Sequence, residues 1–446
     1  MKSIYMIIAD DINESIQKGE LKPGAKLPSI RTLTNKYNCS KNSVIKAYET
    51  LKNNHVIYSS PKSGFFIAET LDRGQFKRDT INFHSGNTVI GNMNTEDLKH
   101  CLKWASDIYK NYSLESGVYG IDSLRDKLAT HLSNYQIFTS RDNIFINMGV
   151  CQTLSTLNAL EFPNKKTTIL IEQPTYAMYM EGLKNSDTHV IGIERDENGI
   201  DLKELERIFK EESIKFFYVI PQHHNPLGTT LSKNQRKSIA KLAKKYDVYI
   251  VEDDYFSCID ENKNYDPIFS YSDRKHVFYI SSFSKIMPWM RIGFIVCPTS
   301  LIEALRKCMH KIHFFSYPTA SLLSQATLEI YLQSKLLYKH TSLITADLKN
   351  KYNVLNENLK SLESLGVEVV KEHSGFYCYL KLPELVNEDI LVKELEKSKV
   401  IVGHGKRFYF DDKFYKKGIR LSIASVSDND IIKGISIIEE KLKMFI

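Results

Sequence analysis

From residue 81 onward, short apolar runs recur between longer amphipathic stretches, and this alternation restricts the possible fold more than any other feature of the chain. The runs at 168–171 (TILI), 216–220 (FFYVI), 248–251 (VYIV), 277–280 (VFYI) and 294–296 (FIV) each have the length of a buried strand. Segments such as 231–246 carry helical periodicity between them. The pattern predicts an α/β domain with a mostly parallel sheet, whose sites gather where strands end. Past about residue 330, long helical patterns precede strand-like runs at 367–370, 376–380 and 419–423 and a last helix from Asp428. These predict a smaller α+β subdomain over about 330–446.

The strand ends carry the chemistry. Run 277–280 leads into Ser281-Ser282-Phe283-Ser284-Lys285, with Arg291 close behind. A lysine there, among small hydroxyl residues, is poorly placed as a solvated surface charge. The hydroxyls and the arginine suit a phosphate, and the lysine suits a carbonyl captured as a Schiff base. A plain polar loop is the alternative. After 144–146 comes Asn147-Met148-Gly149-Val150-Cys151, a glycine turn into a helix that can hold an anion. Run 168–171 leads to Tyr176, an aromatic ring for stacking or for packing. Run 216–220 leads to Asn225-Pro226-Leu227-Gly228, which presents an amide.

Run 248–251 ends in Glu252-Asp253-Asp254-Tyr255. Consecutive acids on an apolar strand are costly without a cation nearby. A metal is one candidate partner, but no histidine cluster in the stretch supports it; a protonated pyridine nitrogen against Asp253 fits. Ser282-Phe283-Ser284-Lys285 also matches the Ser-x-x-Lys of penicillin-binding proteins, with Ser427-Asp428-Asn429 downstream. No Lys-Thr-Gly follows, and that reading leaves Asp253, Tyr255, Asn225 and Arg420 unexplained.

Taken in order, the set resembles fold-type I pyridoxal-phosphate enzymes of the aspartate aminotransferase family, over about residues 81–446. The resemblance implies Lys285 as the catalytic, Schiff-base lysine. It pairs Asp253 with the pyridine nitrogen, faces Asn225 and Tyr255 to the ring hydroxyl, and stacks Tyr176 on the ring. Gly149, Val150, Cys151, Ser282 and Arg291 would hold the phosphate. Arg420 in Ile419-Arg420-Leu421-Ser422 would pair an amino acid's carboxylate. No metal site is implied. The chain departs from the family at Met148, where Ser or Thr is usual, at Trp289, where Gly is usual, and in a Lys285-to-Arg291 spacing one residue short. Beside the recognisable Gly120-x-x-x-Leu124-Arg125 segment, the resemblance offers Tyr112 or Tyr119 as the tyrosine that reaches a partner subunit's phosphate, or one displaced by an insertion.

The charge is unevenly spread. Residues 1–78 hold 13 Lys and Arg against 7 Asp and Glu, while the remainder holds 47 against 46. A small basic segment joined to a large neutral one suits a nucleic-acid-binding module on a small-molecule domain. Helical patterns over 3–18, 29–37 and 40–51, a turn at Pro61-Lys62-Ser63-Gly64 and strand-like 56–58 and 65–67 predict a helix-turn-helix with a wing. Residues 19–31 (GELKPGAKLPSIR) through Lys46-Ala47-Tyr48-Glu49 resemble the GntR winged-helix domain. That implies DNA contacts by Arg31, Lys41, Asn42, Ser43, Lys46, Lys62 and Gly64. Lys41 stands where Arg is usual, which favours a phosphate or a single base acceptor, and His55 stands where Gly is usual.

The expected organisation is therefore a winged helix-turn-helix (1–70), a linker (71–80) and a fold-type I pyridoxal-phosphate transferase-like α/β domain (81–446) with its small C-terminal subdomain. This resembles the MocR/GabR family of bacterial transcription regulators. The resemblance implies a homodimer that binds double-stranded operator DNA, carries pyridoxal 5'-phosphate, and senses an amino acid, an amine or the cofactor itself by exchange at Lys285. The alternative is an aminotransferase that turns over. With 446 residues, 42% hydrophobic, 25% charged, no apolar run of membrane-spanning length and no signal-peptide build at Met1-Lys2-Ser3, a soluble protein with no membrane association is expected. Seven cysteines (39, 101, 151, 258, 297, 308 and 378), never spaced Cys-x-x-Cys, point to a reducing cytoplasm.

Overall fold

The computed structural model describes residues 3–54, 56–60, 63–68, 79–88, 95–112, 117–257, 259, 265–312, 319–370 and 375–446. Lys62, His55 and all of the expected linker except Asp79 and Thr80 lie outside them. The chain forms two compact units, Met1–Arg78 and Asp79–Ile446.

In the first unit three helices, α1 (Ile4–Gln17), α2 (Ile30–Lys36) and α3 (Lys41–Asn53), precede a hairpin of β1 (Ile57–Ser60) and β2 (Gly64–Ile67). Hydroxyl caps start the second and third helices: Ser29 accepts from the amide of Thr32, and Ser40 from that of Ser43. Ile8 and Ile12 of α1 cluster with Leu33 of α2 and with Val44, Ala47, Tyr48 and Leu51 of α3. Lys26 bridges to Phe66, and Leu27 N–H donates to the Phe65 carbonyl at 2.8 Å, so the approach to α2 adds a third short edge to the wing. The N-terminal helix face is not fully covered: Ile4, Met6 and Ile7 are exposed.

The second unit is built on a seven-stranded sheet. Its strands in chain order are β4 (Ile144–Asn147), β5 (Thr168–Gln173), β6 (Val190–Glu194), β7 (Ile214–Val219), β8 (Tyr249–Asp253), β9 (Val277–Ser282) and β10 (Gly293–Val296). Their spatial order is β4-β10-β9-β8-β7-β5-β6. Neighbours from β6 to β9 run parallel, and β10 is antiparallel to both β4 and β9. Every residue of β5, β7, β8 and β9 is buried, which is why these strands read as continuous apolar runs rather than alternating ones.

A short β3 (Ile81–Asn82) pairs in parallel with β13 (Val400–Ile401). The smaller antiparallel sheet joins β11 (Glu368–Val370), β12 (Tyr377–Lys381), β15 (Gly418–Ser422) and β14 (Gly403–His404), in that order. The final helix, Asp428–Leu442, opens with a capping box at Ser427 and Asp430. Gly434 on it lets Phe83 pack close, since a Cβ there would stand 2.3 Å from the Phe83 ring.

Candidate functional site

The parallel strands end around a cavity of about 330 Å³, and all ten residues expected at the cofactor line it. Lys285 enters from the turn after β9. Fully buried Phe283 and Ile286 anchor that turn on either side of it, and the Met287 amide closes it on the Phe283 carbonyl. The Lys285 ammonium donates to the Gly86 carbonyl at 2.5 Å and stands 5.4 Å from the centre of the Tyr255 ring. Thr88 Oγ1 donates to the Lys285 carbonyl at 2.9 Å.

Asp253 closes β8 on the cavity side and is 3% exposed. Its Oδ2 accepts from the Tyr218 hydroxyl at 2.7 Å, whereas its Oδ1 is buried with no hydrogen-bond partner. Burial pushes its carboxyl up to about 7; Tyr218 opposes this, Asp254 adds to it, and the Lys285 ammonium opposes it. The neighbouring Glu252 points to the other side, accepts from the amides of Ile268 and Phe269 at 2.8 Å, and is pushed up to about 8 by burial and by Asp254. Alternation along the strand thus separates a site acid from a structural one.

An unpartnered carboxylate oxygen in a buried wall is what a pyridinium N–H requires, so the acid fits pyridoxal phosphate. The opposite end fits its phosphate. Gly149 caps the helix Val150–Ala159 at φ 118°, and a Cβ there would meet nothing within 4 Å, so the start of the helix borders open space. Ser282 and Arg291 line the same end; Arg291 is exposed and adopts φ 47°, a conformation most residues avoid. The Cys151 thiol lies 3.5 Å from the Tyr176 hydroxyl, and burial raises the Tyr176 phenol well above its ordinary range. Met148 and Trp289, the two departures, are exposed at 40% and 70%.

Asn225 and Tyr255 both line the cavity. The Tyr255 hydroxyl donates to the His223 carbonyl. Asn225 Oδ1 accepts from Arg420 Nη1 at 2.8 Å, which leaves the amide's NH2 group to donate. Arg420 does not line the cavity but stands behind Asn225, buried on β15 between the rings of Tyr377 at 4.5 Å and Phe408 at 5.0 Å. Its Nη2 donates to the His84 carbonyl and its Nε is buried without a partner. Tyr119 packs on Phe145 at 4.7 Å and under Arg125, whereas Tyr112 is 68% exposed.

Sequence reasoning missed Tyr218, Tyr377, Met178 and Asn87, of which the last three line the cavity. A phenol inside the apolar run 216–220 was the one signal available for Tyr218.

In the first unit, Arg31, Lys41 and Gly64 line one open groove of about 710 Å³, together with Lys26 and Ser63. No acidic side chain lines it among the described residues. Asn42 is exposed on the first turn of α3, and the Ser43 hydroxyl lies 3.0 Å from that of Ser40. The Lys46 ammonium stands 4.3 Å from the centre of the Tyr5 ring, directed at α1 rather than at the groove. Lys26 was not anticipated; it comes to the groove through the bridge to Phe66. Among the described residues no group of His, Cys, Asp and Glu could hold a metal ion, and no helix is long and apolar enough to cross a membrane.

Residues 78–438 match the family described as aminotransferase class I and II, and residues 4–67 match bacterial regulatory proteins, gntR family. The uncharacterized HTH-type transcriptional regulator YcxD of Bacillus subtilis is 36% identical over 98% of this chain and 99% of its own. The uncharacterized HTH-type transcriptional regulator YjiR of Escherichia coli is 24% identical over 94% of each chain. Among solved structures, kynurenine aminotransferase of Pyrococcus horikoshii, crystallised in complex with PMP, superposes with a TM-score of 0.74 at 25% identity, over 82% of this chain and 91% of its own. Head, catalytic-type fold and full-length relatives agree, and the chain belongs to the MocR-type HTH transcriptional regulators, in which a GntR winged helix is joined to an aminotransferase class I and II domain.

Proposed function

We propose that this regulator carries pyridoxal 5'-phosphate on Lys285 and reads an amino-group ligand there, changing its grip on double-stranded operator DNA. The observation that carries the reading is the unpartnered, buried Oδ1 of Asp253 in the same cavity as the Lys285 ammonium. When bound, the cofactor supplies an electrophilic carbon that an amine can hold or take over, and a protonated ring that acts as an electron sink.

Lys285 would hold that carbon, and Asp253 would hold the ring proton. The amides at Val150 and Cys151, with Ser282, Arg291 and the turn at Gly149, whose own amide donates to Asn147 Oδ1 at 2.8 Å, would hold the phosphate. Tyr176 would cover the ring, and Asn225 and Tyr255 would meet its hydroxyl. Arg420 would take the carboxylate of an amino-acid ligand as a planar fork. Binding would alter DNA affinity only by favouring one of two arrangements of the chain. Arg31, Lys41, Gly64 and the wing at Lys62 would face the DNA, with Asn42, Ser43 and Lys46 near it.

A second copy of the chain is part of the reading. Exposed Met148 and Trp289 flank the phosphate end, exposed Met178 lines the cavity, and such an apolar rim suits a subunit contact. Tyr112, exposed and packed on the Tyr109 ring, is then the tyrosine that would reach a partner's phosphate.

The second reading, an aminotransferase with turnover, draws on the same complete residue set and on the likeness to kynurenine aminotransferase. One titration separates them: cofactor and then amino acids are added to the full chain while visible absorbance, keto-acid product and operator binding are followed together. Lys285→Ala is expected to abolish the protein-bound absorbance band. An unaltered band in that variant refutes the assignment.

A further inference from the structure

Behind the cavity wall, Asp253 is held from one side only. Tyr218 lies on β7, opposite Val251 of β8 in register, and Val251 and Asp253 share a face of β8. The phenol therefore reaches diagonally across to Oδ2 at 2.7 Å and leaves Oδ1 turned to the cavity. Tyr218 is itself fully buried and fixed: the Tyr179 ring meets it edge-on at 4.8 Å, and the Tyr179 hydroxyl is tied to Asn158 Oδ1 at 2.7 Å.

We infer that Tyr218 is a positioning residue for the cofactor's ring nitrogen, acting through Asp253: its hydroxyl fixes the carboxylate's rotation and, as a donor, favours the ionised form. The inference rests on the pyridoxal-phosphate reading and deepens it.

The surroundings show why such a donor is needed. Close enough to act on Asp253 are Asp254 (which turns to the other side to accept from Tyr279), Tyr255 on the same segment, Glu172 from β5, Tyr176 from the neighbouring turn, and the Lys285 ammonium. Asp254 and Glu172 push its proton affinity up, whereas Tyr218 and Lys285 lower it. A neutral Asp253 can offer Oδ1 as an acceptor but cannot balance a ring N–H⁺. Loss of the phenol therefore moves proton uptake by Asp253 to higher pH, and the defect is largest in mild acid.

The experiment uses the full chain stripped of cofactor and titrated with pyridoxal 5'-phosphate from pH 6.5 to 8.5, read by visible absorbance. Tyr218→Phe keeps the ring, and its thermal midpoint is measured alongside. The expected result is an affinity about tenfold below wild type at pH 6.5, the scale of one hydrogen bond to a charged group, narrowing toward wild type at pH 8.5. In an Asp253→Asn background the same change should add no pH-dependent loss. A deficit equal at every pH, or none, overturns the inference while the cofactor reading stands. A wild-type chain that shows no protein-bound absorbance overturns both.

Discussion

At the scale of single residues the site is distinguished by how firmly its charged groups are held. Arg420 spends Nη1 on Asn225 and Nη2 on the His84 carbonyl, while two aromatic rings hold its plane. A guanidinium so confined is a fork of fixed direction, and a lysine cannot replace it. Arg420→Ala is expected to keep the cofactor's absorbance yet raise the amino-acid concentration needed for a spectral or DNA-binding response by about 100-fold, the loss of a charge-assisted pair. Arg420→Lys should not restore it. A response at wild-type concentrations would refute the role. That Lys285, Asp253 and Asn225 come to one cavity was legible in the sequence because each follows the end of an apolar run. Tyr218 was hidden for the opposite reason, since a phenol inside such a run reads as packing until its strand neighbour is known.

At the scale of elements, β8 is the strand whose composition has a measurable cost. Glu252 and Asp253 are buried carboxyls raised to about 8 and about 7, so the folded chain binds their protons more tightly than the unfolded chain does. Stability from these groups is present at lower pH and is lost as pH rises toward the folded values. Buried His131, lowered to about 4, acts in the opposite sense only below the ordinary histidine range, and Lys215, lowered to about 8, only above its own value. Between about pH 6.5 and 8 the carboxyls act alone of these groups. Cofactor-free protein should therefore show a falling thermal midpoint across that window, and Glu252→Gln should flatten the fall. A midpoint that rises or stays level in the wild type contradicts the burial argument. The same strand shows why sequence boundaries ran short: an apolar window stops at Val251, although β8 continues through its two acids to Asp253. Edge strand β6 went unrecognised because its pattern is only half buried, and the paired β3 and β13, two residues each, are too short to show any period.

At the scale of the whole molecule, the basic charge is concentrated in the small unit and the ligand chemistry in the large one, an asymmetry visible in the sequence. What the sequence could not show is how deeply the first stretch of the large unit is sewn into its far end. Residues 81–82 pair with 400–401, Phe83 packs against Gly434, the Ser85 carbonyl accepts from Ser422, and the Gly86 and His84 carbonyls accept from Lys285 and Arg420. These contacts define where the protein is modular. A chimera that exchanges the DNA-reading head and is joined before Ile81 should keep the wild-type cofactor absorbance, whereas one joined after Thr88 should lose it; equal spectra would refute the seam. Heads can thus be grafted between regulators of this kind without disturbing the cavity at the strand ends, provided that the graft leaves this short ribbon with the large unit.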